Sequence, residues 1–164
     1  MNTEIKDFHL PRWDELPNID LYIDQLVSLL EEYLSGYIKN DNEKDEKIIT
    51  KTMINNYVKQ NIIKPPINKK YNKEHVASLF VVFVLKQVYS INDIKKLICL
   101  AMKTSPIELA YNRFCSELEK AIHIVFDEKN YAKDTNLSEE QYILRNVVES
   151  FANKLYVQRV YLKK

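Results

Sequence analysis

The stretch ITKTMINNYVKQNIIKPPINKKYNKEHVASLFVVFVLKQVYSINDIKKLI, residues 49–98, decides the fold. At about 100° per residue, Thr50 to Asn61 separates into two faces. Met53, Ile54, Tyr57 and Val58 fall on one. Lys51, Thr52, Asn55, Asn56, Lys59 and Gln60 fall on the other. Pro65 and Pro66 close the connection after this helix, because a residue before proline avoids the helical region. A second helix is expected from Asn72, its cap, to about Val88. Val76, Leu79, Phe80, Phe83 and Val84 make it apolar nearly all round, which puts it at the buried centre. A third begins at Ser90, with Asp93 three residues on in a near capping box.

Outward from this core the pattern stays helical. Ile23, Leu26, Leu30, Tyr33, Leu34 and Tyr37 predict a helix over about Ile19–Tyr37, with Asn18 as its cap. The polar run 39–47 reads as an exposed linker. Ser105-Pro106-Ile107-Glu108 combines a cap, a proline at the first helical position and an early acid, and starts a helix to about Phe126. Ser138-Glu139-Glu140-Gln141 starts the last helix, to about Tyr161. The resulting division is an arm and helix (1–46), a core (47–101) and a C-terminal helical pair (102–164). The arm Phe8–Pro17 is either a strap over the hydrophobic core or a contact for a partner.

One glycine, Gly36, occurs in 164 residues. A phosphate loop needs several, so nucleotide-binding folds of that kind are excluded. A many-stranded sandwich or barrel is disfavoured for a related reason, since tight hairpins lean on glycine. An all-α fold follows. The formal net charge is +1, but it is unevenly placed: −8 over residues 1–46, +8 over 47–96 and +1 over 97–164. The richness in lysine, asparagine and isoleucine fits an AT-rich genome. The positive block in the middle is a separate matter of placement.

The polar face of the Thr50–Asn61 helix mixes cations with amides and a hydroxyl, and holds no carboxylate. That composition suits a helix in a DNA groove: lysine meets phosphate, while Asn and Gln can pair with adenine. It also suits a solvated face. Lys64, Lys69, Lys70 and Lys73 follow, where a reduced wing would reach phosphate. Support for an enzyme is thin. His9, His75 and His123 are isolated in sequence, and the adjacent pairs Glu31-Glu32 and Glu139-Glu140 point to different helix faces. Cys99 and Cys115 make neither a zinc site nor a disulfide framework and read as reduced core thiols. No enzyme, cofactor or metal is expected. The longest largely apolar run, Val76–Leu85, is too short to cross a bilayer, so no membrane partner is expected and the chain reads as cytoplasmic.

The 49–98 run resembles the winged helix-turn-helix of MerR-type regulators. The matching positions are Asn56-Tyr57 at the end of the recognition helix, the exit Ile62–Pro66, the wing end Lys69–Tyr71, and Ser90 with Ile94 and Leu97. Asn55 stands where that pattern carries an arginine. A longer resemblance, over most of residues 8–100, is to the domain-of-unknown-function family 1836, through Leu10–Gln25 and Met53–Lys59. It implies a MerR-like DNA-binding core. The expectation is therefore a DNA-binding transcriptional regulator that places helix 50–61 in the major groove of double-stranded DNA. Lys51, Thr52, Asn55, Asn56, Tyr57, Lys59, Lys64, Lys69, Lys70 and Lys73 are its contact candidates. The last two helices would form a homodimer interface or, between them, a pocket for a small-molecule effector. The rival is a protein-interaction module on the same scaffold.

Overall fold

The computed structural model describes residues 5, 7–38, 47–127 and 136–162. Among these it has six α-helices: α1 (Ile23–Leu34), α2 (Lys51–Lys59), α3 (Lys73–Leu85), α4 (Ile91–Thr104), α5 (Ile107–Phe126) and α6 (Glu139–Val160). Strands β1 (Leu21–Tyr22) and β2 (Lys70–Tyr71) form a small antiparallel sheet. The fold is mostly helical, and the sheet is an addition to the all-α expectation. The chain divides into two compact units, residues 11–95 and residues 1–10 with 96–164. Segment 1–46 is thus shared between them, and the division falls inside α4. The polar run 39–47 lies outside the described residues except for Lys47.

In the unit 11–95, α3 is the centre. Nine of its residues are buried, among them Val76, Leu79, Phe80, Phe83 and Val84. Three edge-on ring contacts fasten other elements to it: Tyr33 of α1 on Phe80, Tyr57 of α2 on Phe83, and Tyr71 of β2 on His75. Edge-to-face pairs add about 0.5–1.5 kcal/mol each beyond the area they bury.

The helix expected from Ile19 begins four residues later. Leu21 and Tyr22 are extended instead, paired with Tyr71 and Lys70. Helical periodicity and a short strand cannot be separated over so few residues, and the partner strand decides. Gln25 Oε1 accepts from the Tyr22 N–H (2.9 Å) and closes the first turn of α1, so Asn18 is not the cap. A smaller shift occurs at α5. Ala110 N–H donates to the Pro106 carbonyl, which puts Pro106 before the first helical residue rather than at it.

Scarcity of glycine shapes the end of α2. Ile62 N–H donates to Tyr57 O (3.0 Å) and Asn61 N–H to Val58 O (3.0 Å). This is a Schellman closure, and Asn61, at φ 57°, fills the left-handed position usually given to glycine. Asparagine tolerates this region; a β-branched residue does not. Asn61→Val is expected to cost about 1–2 kcal/mol in a denaturant melt, whereas Asn61→Gly changes stability by only tenths. Equal effects would show that the cap does not set the cost.

In the other unit, α5 and α6 pack through Phe114, Cys115, Leu118 and Ile122 on one side and Val147, Val148, Phe151 and Leu155 on the other, all buried. Phe126, in the last turn of α5, meets Tyr156 near the end of α6 at 5.2 Å. An up-and-down hairpin would put Phe126 beside the start of α6 instead. The C-terminal ends of the two helices therefore lie together. Ser138 caps α6 as expected, accepting from Gln141 N–H while Gln141 Oε1 accepts from Ser138 N–H. The arm is tied to α5: Leu10 N–H donates to Glu119 Oε1 (3.0 Å), and His9 Nδ1 lies 3.1 Å from the same oxygen. Phe8 and Leu10 are buried, as a strap requires. Cys115 is a core thiol, but Cys99 is exposed on α4, contrary to expectation.

Burial pushes the Glu149 carboxyl above its ordinary value, against an opposing pull from Arg145. A raised value means that ionisation costs the folded state. That cost is absent below the unperturbed carboxylate range and grows as pH rises. Glu149→Gln should therefore raise the thermal midpoint slightly at pH 7, with the gain fading as pH falls through that range. A gain independent of pH would rule out this cause.

Candidate nucleic-acid interface

Helix α2 starts at Thr50, whose Oγ1 accepts from Met53 N–H (3.2 Å). No acid stands in its first turn. Ile54 and Tyr57 are buried and Met53 and Val58 half-buried, while Lys51, Thr52, Asn55, Asn56, Lys59 and Gln60 are exposed. The two faces fall as the sequence assigns them. Tyr57 is the correction among the contact candidates. It is 3% exposed, packed on Phe83, with Lys86 Nζ over its ring at 5.6 Å. It supports the helix from below and does not belong to the exposed stripe.

The connection after α2 ends in a two-residue turn. Ile67 N–H donates to Lys70 O (2.9 Å) and Lys70 N–H to Ile67 O (3.0 Å). Between them Asn68 and Lys69 have φ of 50° and 61°. Positive φ at both central positions is the type I′ signature, which favours Asn-Gly. Lys69 thus stands where glycine fits best, at an expected cost of about 1–2 kcal/mol. Such an outlier points toward a role for the side chain. The turn adds a third strand position to the sheet: Ile67, Lys70 and Tyr22 are cross-strand neighbours on its outer face. Leu21 and Tyr71 form its buried face. Burial also pushes the Tyr71 phenol up.

The lysines of this unit have partners that sequence reading missed. Lys51 pairs with Asp24 in the first turn of α1 (2.5 Å), and Lys64 with Glu74 (3.4 Å). Lys70 Nζ lies over the Tyr22 ring at 4.9 Å. Lys73 Nζ lies over the Trp13 ring at 5.6 Å and donates to Asn18 Oδ1 at 2.9 Å. Three of the four, Lys51, Lys70 and Lys73, are engaged by one stretch, Trp13–Asp24. The hint was present in the charge blocks, since an acidic segment precedes a basic one. Tyr22 and Asp24 also fix the geometry. Through Lys70 and Lys51 they bring the hairpin and the N-terminus of α2 to the same end of α1.

His75 anchors this arrangement. Its Nδ1 accepts from Asn72 N–H (3.0 Å), while Asn72 Oδ1 accepts from His75 N–H (3.2 Å). The other nitrogen, Nε2, lies 3.1 Å from Pro65 O. A carbonyl only accepts, so Nε2 carries the hydrogen and Nδ1 is bare. One ring therefore caps α3 and pins the connection that precedes the hairpin. His75 is 4% exposed.

Among the described residues no group of three or more His, Cys, Asp or Glu is placed to hold a metal ion, and no helix is long and apolar enough to cross a membrane. Comparison with curated proteins and with solved structures gives no match. A family model described as Domain of unknown function (DUF1836) matches residues 11–114. That span takes in the whole unit built on α3, with α2, the hairpin and the stretch that holds the lysines, and continues through α4 into α5. The chain belongs to the DUF1836 family.

Proposed function

We propose that this chain is a DNA-binding transcriptional regulator with a MerR-like winged helix-turn-helix. Helix α2 is the reading helix, and the Ile67–Lys70 hairpin is a reduced wing. The exposed, carboxylate-free stripe of α2 carries the reading. Thr52, Asn55, Asn56 and Lys59 face bases or the groove edge. Lys69, Lys70 and Lys73 face phosphate directly, and Lys51 and Lys64 reach it only by exchanging Asp24 and Glu74 for it. A homodimer built on the C-terminal helices would place two reading helices on half-sites about one DNA turn apart, or a multiple of it.

Binding of the purified chain to mixed duplex fragments, read by fluorescence anisotropy at two salt concentrations, tests this. Affinity should fall steeply with salt. Asn55→Ala should alter which fragments are preferred, by about 1–3 kcal/mol at the affected base. No binding at low salt would end the proposal. A second reading has its own observation: Asp24 and Glu74 already pair with Lys51 and Lys64, and Ile19, Tyr22 and Ile67 are each more than half exposed. A protein-interaction module would look like this. Under it, DNA binding is absent and the apolar face of the hairpin carries the contact.

A further inference from the structure

We infer that the stretch Trp13–Tyr22 is a working part of the nucleic-acid site, in which Trp13, Asn18 and Tyr22 are positioning residues that hold Lys73 and Lys70 ready for two phosphates. The inference rests on the DNA reading and extends it to residues outside the helix-turn-helix.

The argument starts from the cost of using lysine. A free lysine side chain carries about 2 kcal/mol of rotamer entropy, and most of it is lost when the ammonium settles on a phosphate. A side chain already confined loses less on binding. The partner that confines it must not neutralise it. An aromatic face meets this condition, because it attracts the cation through its quadrupole and uses up no N–H donor. Lys70 rests over Tyr22 at 4.9 Å and Lys73 over Trp13 at 5.6 Å. An ammonium has three donors. Lys73 spends one on Asn18 Oδ1, a neutral acceptor, and has two more to offer.

The contrast with Lys51 is instructive. Its partner Asp24 is a carboxylate, which cancels the charge that a phosphate would need. The N-terminal segment therefore treats these lysines in two ways: Trp13–Tyr22 holds two with their charge intact, and Asp24, just beyond it, neutralises one. Position supports the separation. Lys70 and Tyr22 are register partners on the outer face of the sheet, beside the strained Lys69. Lys73 opens α3 three residues further on. Lys69, Lys70 and Lys73 thus follow one another from the turn to the start of α3.

A double-mutant cycle tests the inference, using the full chain and a fluorescein-labelled duplex of mixed sequence over a salt series. Tyr22→Leu and Trp13→Leu should each weaken binding about threefold, while the slope of log affinity against log salt stays that of the wild type. Lys70→Ala should instead reduce that slope by about 1. In the Lys70→Ala background Tyr22→Leu should have no further effect, and Tyr22→Phe should bind as the wild type does. Tyr22 is more than half exposed, so its variants test the site without threatening the fold. Equal losses from Tyr22→Leu with and without Lys70 would overturn the inference, as would wild-type binding by both leucine variants. In those cases the DNA reading stands. A wild-type chain that binds no duplex at low salt overturns both.

Discussion

Lys69→Glu combined with Lys70→Glu is expected to weaken binding to any duplex by roughly 100-fold at low salt. Two phosphate contacts are lost, and two like charges are set against the backbone in their place. The slope of log affinity against log salt should fall by about 2, and the loss should be the same for every sequence, because phosphate carries no base identity. Asn55→Ala should behave in the opposite way, with a small mean loss and an altered preference. The hairpin should survive the double change, since its turn is closed by backbone bonds between Ile67 and Lys70. A companion variant separates function from stability. Lys69→Gly removes a left-handed lysine at φ 61° and should raise stability by up to about 1 kcal/mol, a few degrees in thermal midpoint for a unit of this size. It should also lose one unit of salt slope. A residue that costs stability where glycine would not, and whose removal weakens binding, is there for its charge. If the double variant binds as well as the wild type, the hairpin lysines are only a solvated face.

The two faces of α2, the buried centre in α3 and the caps at Asn72 and Ser138 were legible because each is a local pattern. Periodicity and the preference of a capping oxygen for the third N–H act over one or two turns. What was not legible depends on distant partners. Leu21 and Tyr22 look helical until Lys70 and Tyr71 claim them, a pairing across nearly fifty positions. The holders of the lysines, Trp13, Asn18, Tyr22 and Asp24, are of the same kind. A net charge of −8 beside +8 predicts attraction, but not that Asp24 takes Lys51 while two rings take Lys70 and Lys73. Tyr57 is a contact candidate by its place in the family pattern, although its own place on the wheel puts it inside. Glycine scarcity disfavours many hairpins. It did not bar one, because Asn68 and Lys69 accept positive φ at a cost.

His75→Ala is expected to cost about 2–4 kcal/mol. The ring makes two polar contacts at 4% exposure, and both partners are backbone groups that cannot leave. Alanine leaves Asn72 N–H and Pro65 O without it, opens a cavity under Tyr71 and removes an edge-on ring contact. At about 4–8 °C per kcal/mol for a unit of this size, the thermal midpoint should drop by on the order of 15 °C. His75→Gln should recover much of this. Glutamine is at home three residues after a cap, and its amide carries both an acceptor for Asn72 N–H and a donor for Pro65 O. The consequence should extend beyond stability. Pro65 opens the approach to the hairpin, so loosening it frees Lys64, Lys69 and Lys70 together. Hydrogen exchange at Lys70 N–H, which closes the turn, should accelerate in His75→Ala at temperatures where α3 is still folded. A loss under about 0.5 kcal/mol, or faster exchange spread evenly over the unit, would mean that His75 only fills space. Retarded exchange in His75→Gln relative to His75→Ala would place the coupling in the two hydrogen bonds and not in the ring.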